Sequence, residues 1–241
     1  MKPTGYVIYD GPSMIDGQRI VAIVTGLMAS RNAKTGAMVQ TYIIRPDMAP
    51  IEAVRTGADV SICGGCVHRG DGTGGERSCY VTLIHGPRVV YDAFRRGIYQ
   101  DASPEAVADI VAGRMVRLGT YGDPAAVPLM VWEALIARTA GWTGYSHQWQ
   151  TLTEGWSRLL MASVDSVEQM DEAHEQGWRT FRVGSEPVRG VEINCPASEE
   201  AGKRVQCIDC LLCMGGTSRS PRSVQIAPHG TGARYALEMA A

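Results

Sequence analysis

Two hydrophobic periodicities divide the chain. In "GYVIYDGPSMIDGQRIVAIVTG" (residues 5–26) two β-branched runs are separated by Gly- and Asp-containing turns, and "AMVQTYIIRP" (37–46) is a third such run. The polar "SRNAKTG" (30–36) between them predicts a loop, with Gly36 available for positive φ. Residues 1–62 therefore predict a β-rich lead-in.

After residue 80 the pattern alternates between strand and helix. "GPRVVYDAFRRGIY" has apolar residues at helical spacing and a glycine at its C-cap. "SPEAVADIVAGR" opens with Ser103 as N-cap and Pro104 at the first helical position, then stops at Gly113. "MVRLGTYGDP" predicts a strand ending in a Gly-rich turn, with "AAVPLMVWEALIART" as the helix behind it. "GWTGYSHQW" and "RLLMASVD" predict further strands, "SVEQMDEAHEQG" a helix capped by Ser166, and "WRTFRVG" a returning strand. Such βαβαβ alternation implies a parallel sheet with right-handed crossovers. The expected fold class is α/β: a partial or complete (β/α) barrel with a β-rich N-terminal lead-in and a Cys-rich C-terminal metal-binding segment. One domain is expected, divided into residues 1–62, 63–190 and 191–241.

In parallel α/β folds, chemistry collects in the loops after the strands. That rule selects Thr120, Tyr121, Gly122 and Asp123, then Ser146, His147 and Gln148, then Asp165 and Ser166. Asp123, Asp165 and His147 are the catalytic candidates. Each has a plainer alternative: "YGDP" is a good turn sequence, His147 a structural histidine, and Asp165–Ser166 a helix start. His174, within a polar helix, is expected at the solvated surface, and Arg88, Arg95 and Arg96 on a solvated helix face. "GDGTGG" lacks the Lys-Ser/Thr of a phosphate-binding loop and is expected to be flexible.

The seven cysteines form two groups. Cys63, Cys66 and Cys79 read C-x2-C-x12-C, and Cys195, Cys207, Cys210 and Cys213 read C-P-x10-C-x2-C-x2-C. The N-terminus shows no basic and apolar leader, and no apolar run reaches the roughly 18 residues of a membrane span, so a cytoplasmic protein without a membrane role is expected. A reducing compartment and an odd cysteine count argue against disulfides and for metal ligation. A C-x2-C turn folds its amides toward two sulfurs on one centre. The terminal group resembles a ferredoxin-type 4Fe-4S ligand set, with a structural zinc, completed by His229, as the alternative. The first group is completed by His68 or His85 around zinc, or holds a cluster with one open iron; Cys79 could also be a core cysteine. With 23 basic and 25 acidic residues, the net charge of −2 excludes a global polycation. Nucleic-acid binding would need a local basic face.

Two family resemblances follow. "VRLGTYGDPAAVPLMVWEALIA" resembles the second strand, "GGEP" loop and helix of radical S-adenosylmethionine enzymes, and "LLMASVDSVEQMDEAHEQGW" resembles their fourth strand and helix. The resemblance spans residues 80–213. It implies S-adenosylmethionine as a cofactor held by Thr120, Gly122, Asp123 and Pro124, with a small-molecule or nucleotide substrate. The family's C-x3-C-x2-C triad is absent, and Cys63, Cys66 and Cys79 would stand in for it. The chain is also similar to phage proteins that combine "CGxCxHR" with a terminal "CxxCxxC". The second family is the guanine and 7-deazaguanine transglycosylases, zinc-knot barrels that modify nucleic-acid bases. It implies Cys207, Cys210, Cys213 and His229 on zinc, with Asp123 or Asp165 as nucleophile. A non-catalytic, metal-stapled binding module is the third expectation. Oligomeric state is not readable from the sequence.

Overall fold

The three apolar runs of the lead-in lie side by side. The computed structural model describes residues 3–28, 34–73, 75–153, 155–199, 201–202, 205–229 and 232–233, so the loop expected over 30–36 and the segment expected over 191–241 lie partly outside the described residues. Strand β1 (Gly5–Pro12) pairs antiparallel with β2 (Arg19–Thr25), and β2 with β3 (Val39–Ile44). Ile20 to Val24 of β2 are fully buried, as expected for a central strand covered on both faces.

Short helices α1 (Pro50–Arg55) and α2 (Val60–Cys63) lead into the first cysteine loop. Beyond it come α3 (Gly86–Arg95), the edge strand β4 (Gln100–Asp101) and α4 (Pro104–Ile110). Ser103 caps α4 by accepting a hydrogen bond from the Ala106 amide, as its sequence predicts. Alternation then runs through β5 (Met115–Tyr121), α5 (Leu129–Ile136), β6 (Gly141–Thr143), β7 (Tyr145–Ser146), α6 (Trp156–Leu159), β8 (Met161–Val164), α7 (Val167–Glu175) and β9 (Thr180–Val183). The last part of the described chain adds β10 (Glu192–Asn194), α8 (Cys207–Cys210) and β11 (Ser223–Ile226).

The result is a mixed α/β fold with two mostly parallel sheets. One has the order β4-β1-β2-β3-β5-β6 and the other β10-β11-β9-β8-β7. They meet at Gly144, where the single strand expected over 141–149 breaks into β6 and β7. A Cβ on Gly144 would sit 2.5 Å from a Leu160 methyl, so the chain passes close beneath that side chain there.

Three expectations change. "RLLMASVD" begins as helix α6, and only Met161–Val164 is strand. The Cys-rich tail is partly sheet: β11 inserts between β9 and β10, with parallel pairing on both sides. His174 is half-buried rather than solvated, because its Nε2 meets Ser223 Oγ at 2.9 Å and ties α7 to β11. Arg88, Arg95 and Arg96 are exposed, as expected of a solvated helix face; Arg88 pairs with Asp92 and Arg95 donates to the Pro46 carbonyl.

Candidate functional site

Alternate residues of the central strands share one face of the sheets. Arg117, Gly119 and Tyr121 of β5, Tyr145 of β7, Phe181 and Val183 of β9, and Val224 and Ile226 of β11 all line a single cavity of about 180 Å³. The cavity thus extends along the sheet face and not only over the strand ends. Two loops close it, and they carry the cysteines: all seven thiols line this cavity, and all seven are free.

The first group is built on a clamped turn. Cys63 ends α2, and Gly64 turns the chain with φ 58°, where a Cβ would collide with the Gln148 side chain. Gln148 holds the turn from both sides, accepting from the Gly65 amide and donating to the Cys63 carbonyl. The Cys66 sulfur accepts from the His68 amide, and the Cys79 amide donates to the His68 carbonyl at 2.9 Å. Burial and neighbouring thiols push Cys63 and Cys66 well above the usual thiol range.

The second group packs with Met161, Val224 and Ile226. Burial pushes the Cys213 thiol up to about 12, against the opposing effect of a hydrogen bond from Tyr145, with Cys195, Cys207 and Cys210 close enough to add to the rise. Burial also raises Cys207, although the Arg117 guanidinium opposes it. Such thiols stay protonated at neutral pH until a cation displaces their protons.

A second cluster stands beside the first group. His68 Nε2 lies 2.7 Å from Asp165 Oδ1, and His68 Nδ1 lies 2.6 Å from Ser78 Oγ. The His147 ring packs edge-on against His68, with centroids 5.4 Å apart. His147 Nε2 is shielded from solvent and hydrogen-bonds to nothing. Burial lowers the His147 pKa to about 4, so the ring is neutral at pH 7. Among the described residues, His68, His147 and Asp165 are the one group of three or more His, Cys, Asp or Glu side chains whose donor atoms all fall within 4.8 Å of one another.

Other predicted residues have different positions. Asp123 is buried, and both its oxygens are engaged: Oδ1 accepts from the Ala125 amide at 3.0 Å and Oδ2 from the His147 amide at 2.8 Å. Thr120 lines the cavity and donates to Gln40 Oε1. Gly122 also lines it, with φ 84° and no room for a Cβ against Ile43. Pro124 is buried off the cavity wall, its carbonyl taken by the Trp132 indole. Asp165 stands behind His68 and not on the wall. His229 stacks on Tyr80 and holds the Ala227 carbonyl, and His85 is exposed at the start of α3. With Ser78 and Asp165 on its two nitrogens, His68 points no free nitrogen at the thiols.

Sequence pattern alone does not single out Arg117. Its Nη2 donates to the Tyr80 hydroxyl, its Nε is buried without a partner, and no carboxylate pairs with it among the described residues. A charged residue inside an otherwise apolar strand was the available signal. Compared with protein-family models, curated proteins and solved structures, the chain finds no match. No helix among the described residues is long and apolar enough to cross a membrane.

Proposed function

We propose that the chain is an iron–sulfur enzyme resembling radical S-adenosylmethionine enzymes, with an anionic small molecule or nucleotide as substrate. The observation that carries this reading is that both cysteine groups line one cavity. A single zinc with Zn–S bonds of about 2.3 Å would draw its sulfurs to within about 4 Å of each other. No three of these thiols come within 4.8 Å of one another, so neither group is drawn up as a compact zinc site. Cys63, Cys66 and Cys79 would hold an open cluster, and Cys195, Cys207, Cys210 and Cys213 a closed one. When bound, such centres supply single electrons. This chain's own residues would bind the substrate and keep water from it.

Arg117 supports the anionic substrate, since a half-buried guanidinium on the cavity wall, with no carboxylate paired to it among the described residues, favours a phosphate or carboxylate ligand. Gly119, Thr120 and Gly122 would face the cofactor, on a barrel-type arrangement of the sheets. Free thiols suit a cytoplasmic setting. Anaerobic purification tests the proposal: brown protein with several irons and sulfides per chain is expected, with S-adenosylmethionine binding by equilibrium dialysis. Colourless protein holding one or two zincs and no iron would overturn it and favour the zinc-knot reading.

A further inference from the structure

The trio beside the first cysteine group has the form of a separate metal site. It offers two imidazoles and one carboxylate, drawn from a loop (His68), the end of β7 (His147) and the start of α7 (Asp165), with their donor atoms all within 4.8 Å. Donors on one ion at about 2.0–2.2 Å stand roughly 3–3.5 Å apart, so the trio needs only a small adjustment to enclose an ion. We propose that His68, His147 and Asp165 bind one divalent transition-metal ion just behind the cavity wall that His68 and His147 help to form, distinct from any centre held by the cysteines.

Three features support it. His147 Nε2 is enclosed and unpartnered beside the His68–Asp165 pair, a costly arrangement unless something occupies the space between them. Ser78 Oγ touches His68 Nδ1, the contact that fixes a ligating imidazole by holding its other nitrogen. Asp165 is held in place through its own backbone amide, which donates to Gln169 Oε1 at 2.9 Å. On metal entry the His68 proton shifts from Nε2 to Nδ1, where Ser78 Oγ accepts it, and Nε2 and the carboxylate turn their lone pairs to the ion. Where His68 is an imidazolium beforehand, one proton leaves to solvent instead, and none of the trio's groups is oxidised or reduced.

An N,N,O donor set suits Fe²⁺, Mn²⁺ or Zn²⁺ and leaves positions for water or substrate. The site contains no thiolate, so it stands or falls separately from the iron–sulfur reading. Mn²⁺ is the discriminating probe because it avoids thiolates. The full chain, as purified anaerobically, is incubated with Mn²⁺, gel-filtered and assayed by electron paramagnetic resonance. One retained Mn²⁺ per chain is expected. Asp165→Asn and His147→Gln should abolish retention, and Ser78→Ala should weaken affinity about 10- to 100-fold, with iron content and near-ultraviolet circular dichroism unchanged. No retained Mn²⁺ in the wild type, or retention unchanged in the folded variants, overturns the proposal and leaves the trio as a hydrogen-bonded relay. If Asp165→Asn does not fold, His147→Gln and Ser78→Ala decide by the same readout.

Discussion

His68 Nε2 and Asp165 Oδ1 are 2.7 Å apart although 97 residues separate them in the chain. The contact joins the first cysteine loop to the start of α7. His68 also holds Ser78 within its own loop, so a single ring fixes the loop's shape and its docking. Burial works to raise the Asp165 pKa, but the His68 hydrogen bond and charge outweigh it and hold the carboxyl below its ordinary value.

Replacing Asp165 by alanine leaves His68 Nε2 half-buried without its acceptor. The expected cost is about 1–3 kcal/mol. For a chain of this size each kcal/mol lowers Tm by about 2–4 °C. Calorimetry on metal-free protein checks it. An unchanged Tm would mean that the loop docks through its other contacts alone.

Asp123 separates a structural role from a nucleophilic one. Its two oxygens each accept a backbone amide, from Ala125 and His147, and so join the turn after β5 to the end of β7. Asparagine keeps one acceptor and turns an amide toward the other N–H. Asp123→Asn should therefore lower stability by about 1–3 kcal/mol in urea unfolding. A nucleophile with no such duty would instead lose base-exchange activity at unchanged stability, and that result would restore the transglycosylase reading.

The elements were legible where local chemistry decides them. Ser103 and Ser166 cap the helices that their sequences predict, and the β-branched runs of the lead-in pair as strands. Strand β11 was not legible: its four residues are buried between β9 and β10, a placement set by non-local pairing and not by periodicity. The site was legible as a set of residue types and not as a map. Spacing divides the cysteines into two groups, but only the fold brings both to one cavity. Spacing likewise offers His68 to the thiols, whereas the fold turns it to Asp165.

Strands β9 and β10 are not paired with each other, since β11 lies between them, yet the Arg182 and Glu192 side chains connect them. The pair is bidentate, at 2.9 and 2.6 Å, and the two side chains are 7% and 0% exposed. Glu192→Ala strands a buried guanidinium and should cost about 3–5 kcal/mol. Arg182→Met combined with Glu192→Leu should recover much of that loss, because an apolar pair has no desolvation penalty. A chemical-denaturation double-mutant cycle measures both. A single-variant loss below about 1 kcal/mol would show that water reaches the pair.

On the proposed iron–sulfur reading, the two cysteine groups should lose metal independently. Cys66→Ala removes a thiol from the loop that His68 docks, while Cys213→Ala removes one from the segment leading into β11. Each variant is expected to lose the iron of its own group and keep that of the other, read by iron and sulfide content and by electron paramagnetic resonance of the reduced protein. Stability should respond unequally. The Cys213 group adjoins a strand buried within the sheet, so chelation or Cys213→Ala should lower Tm more than Cys66→Ala does, metal binding there being coupled to the folding of β11. Joint loss of all iron in either variant would instead mean that the seven thiols serve one shared centre.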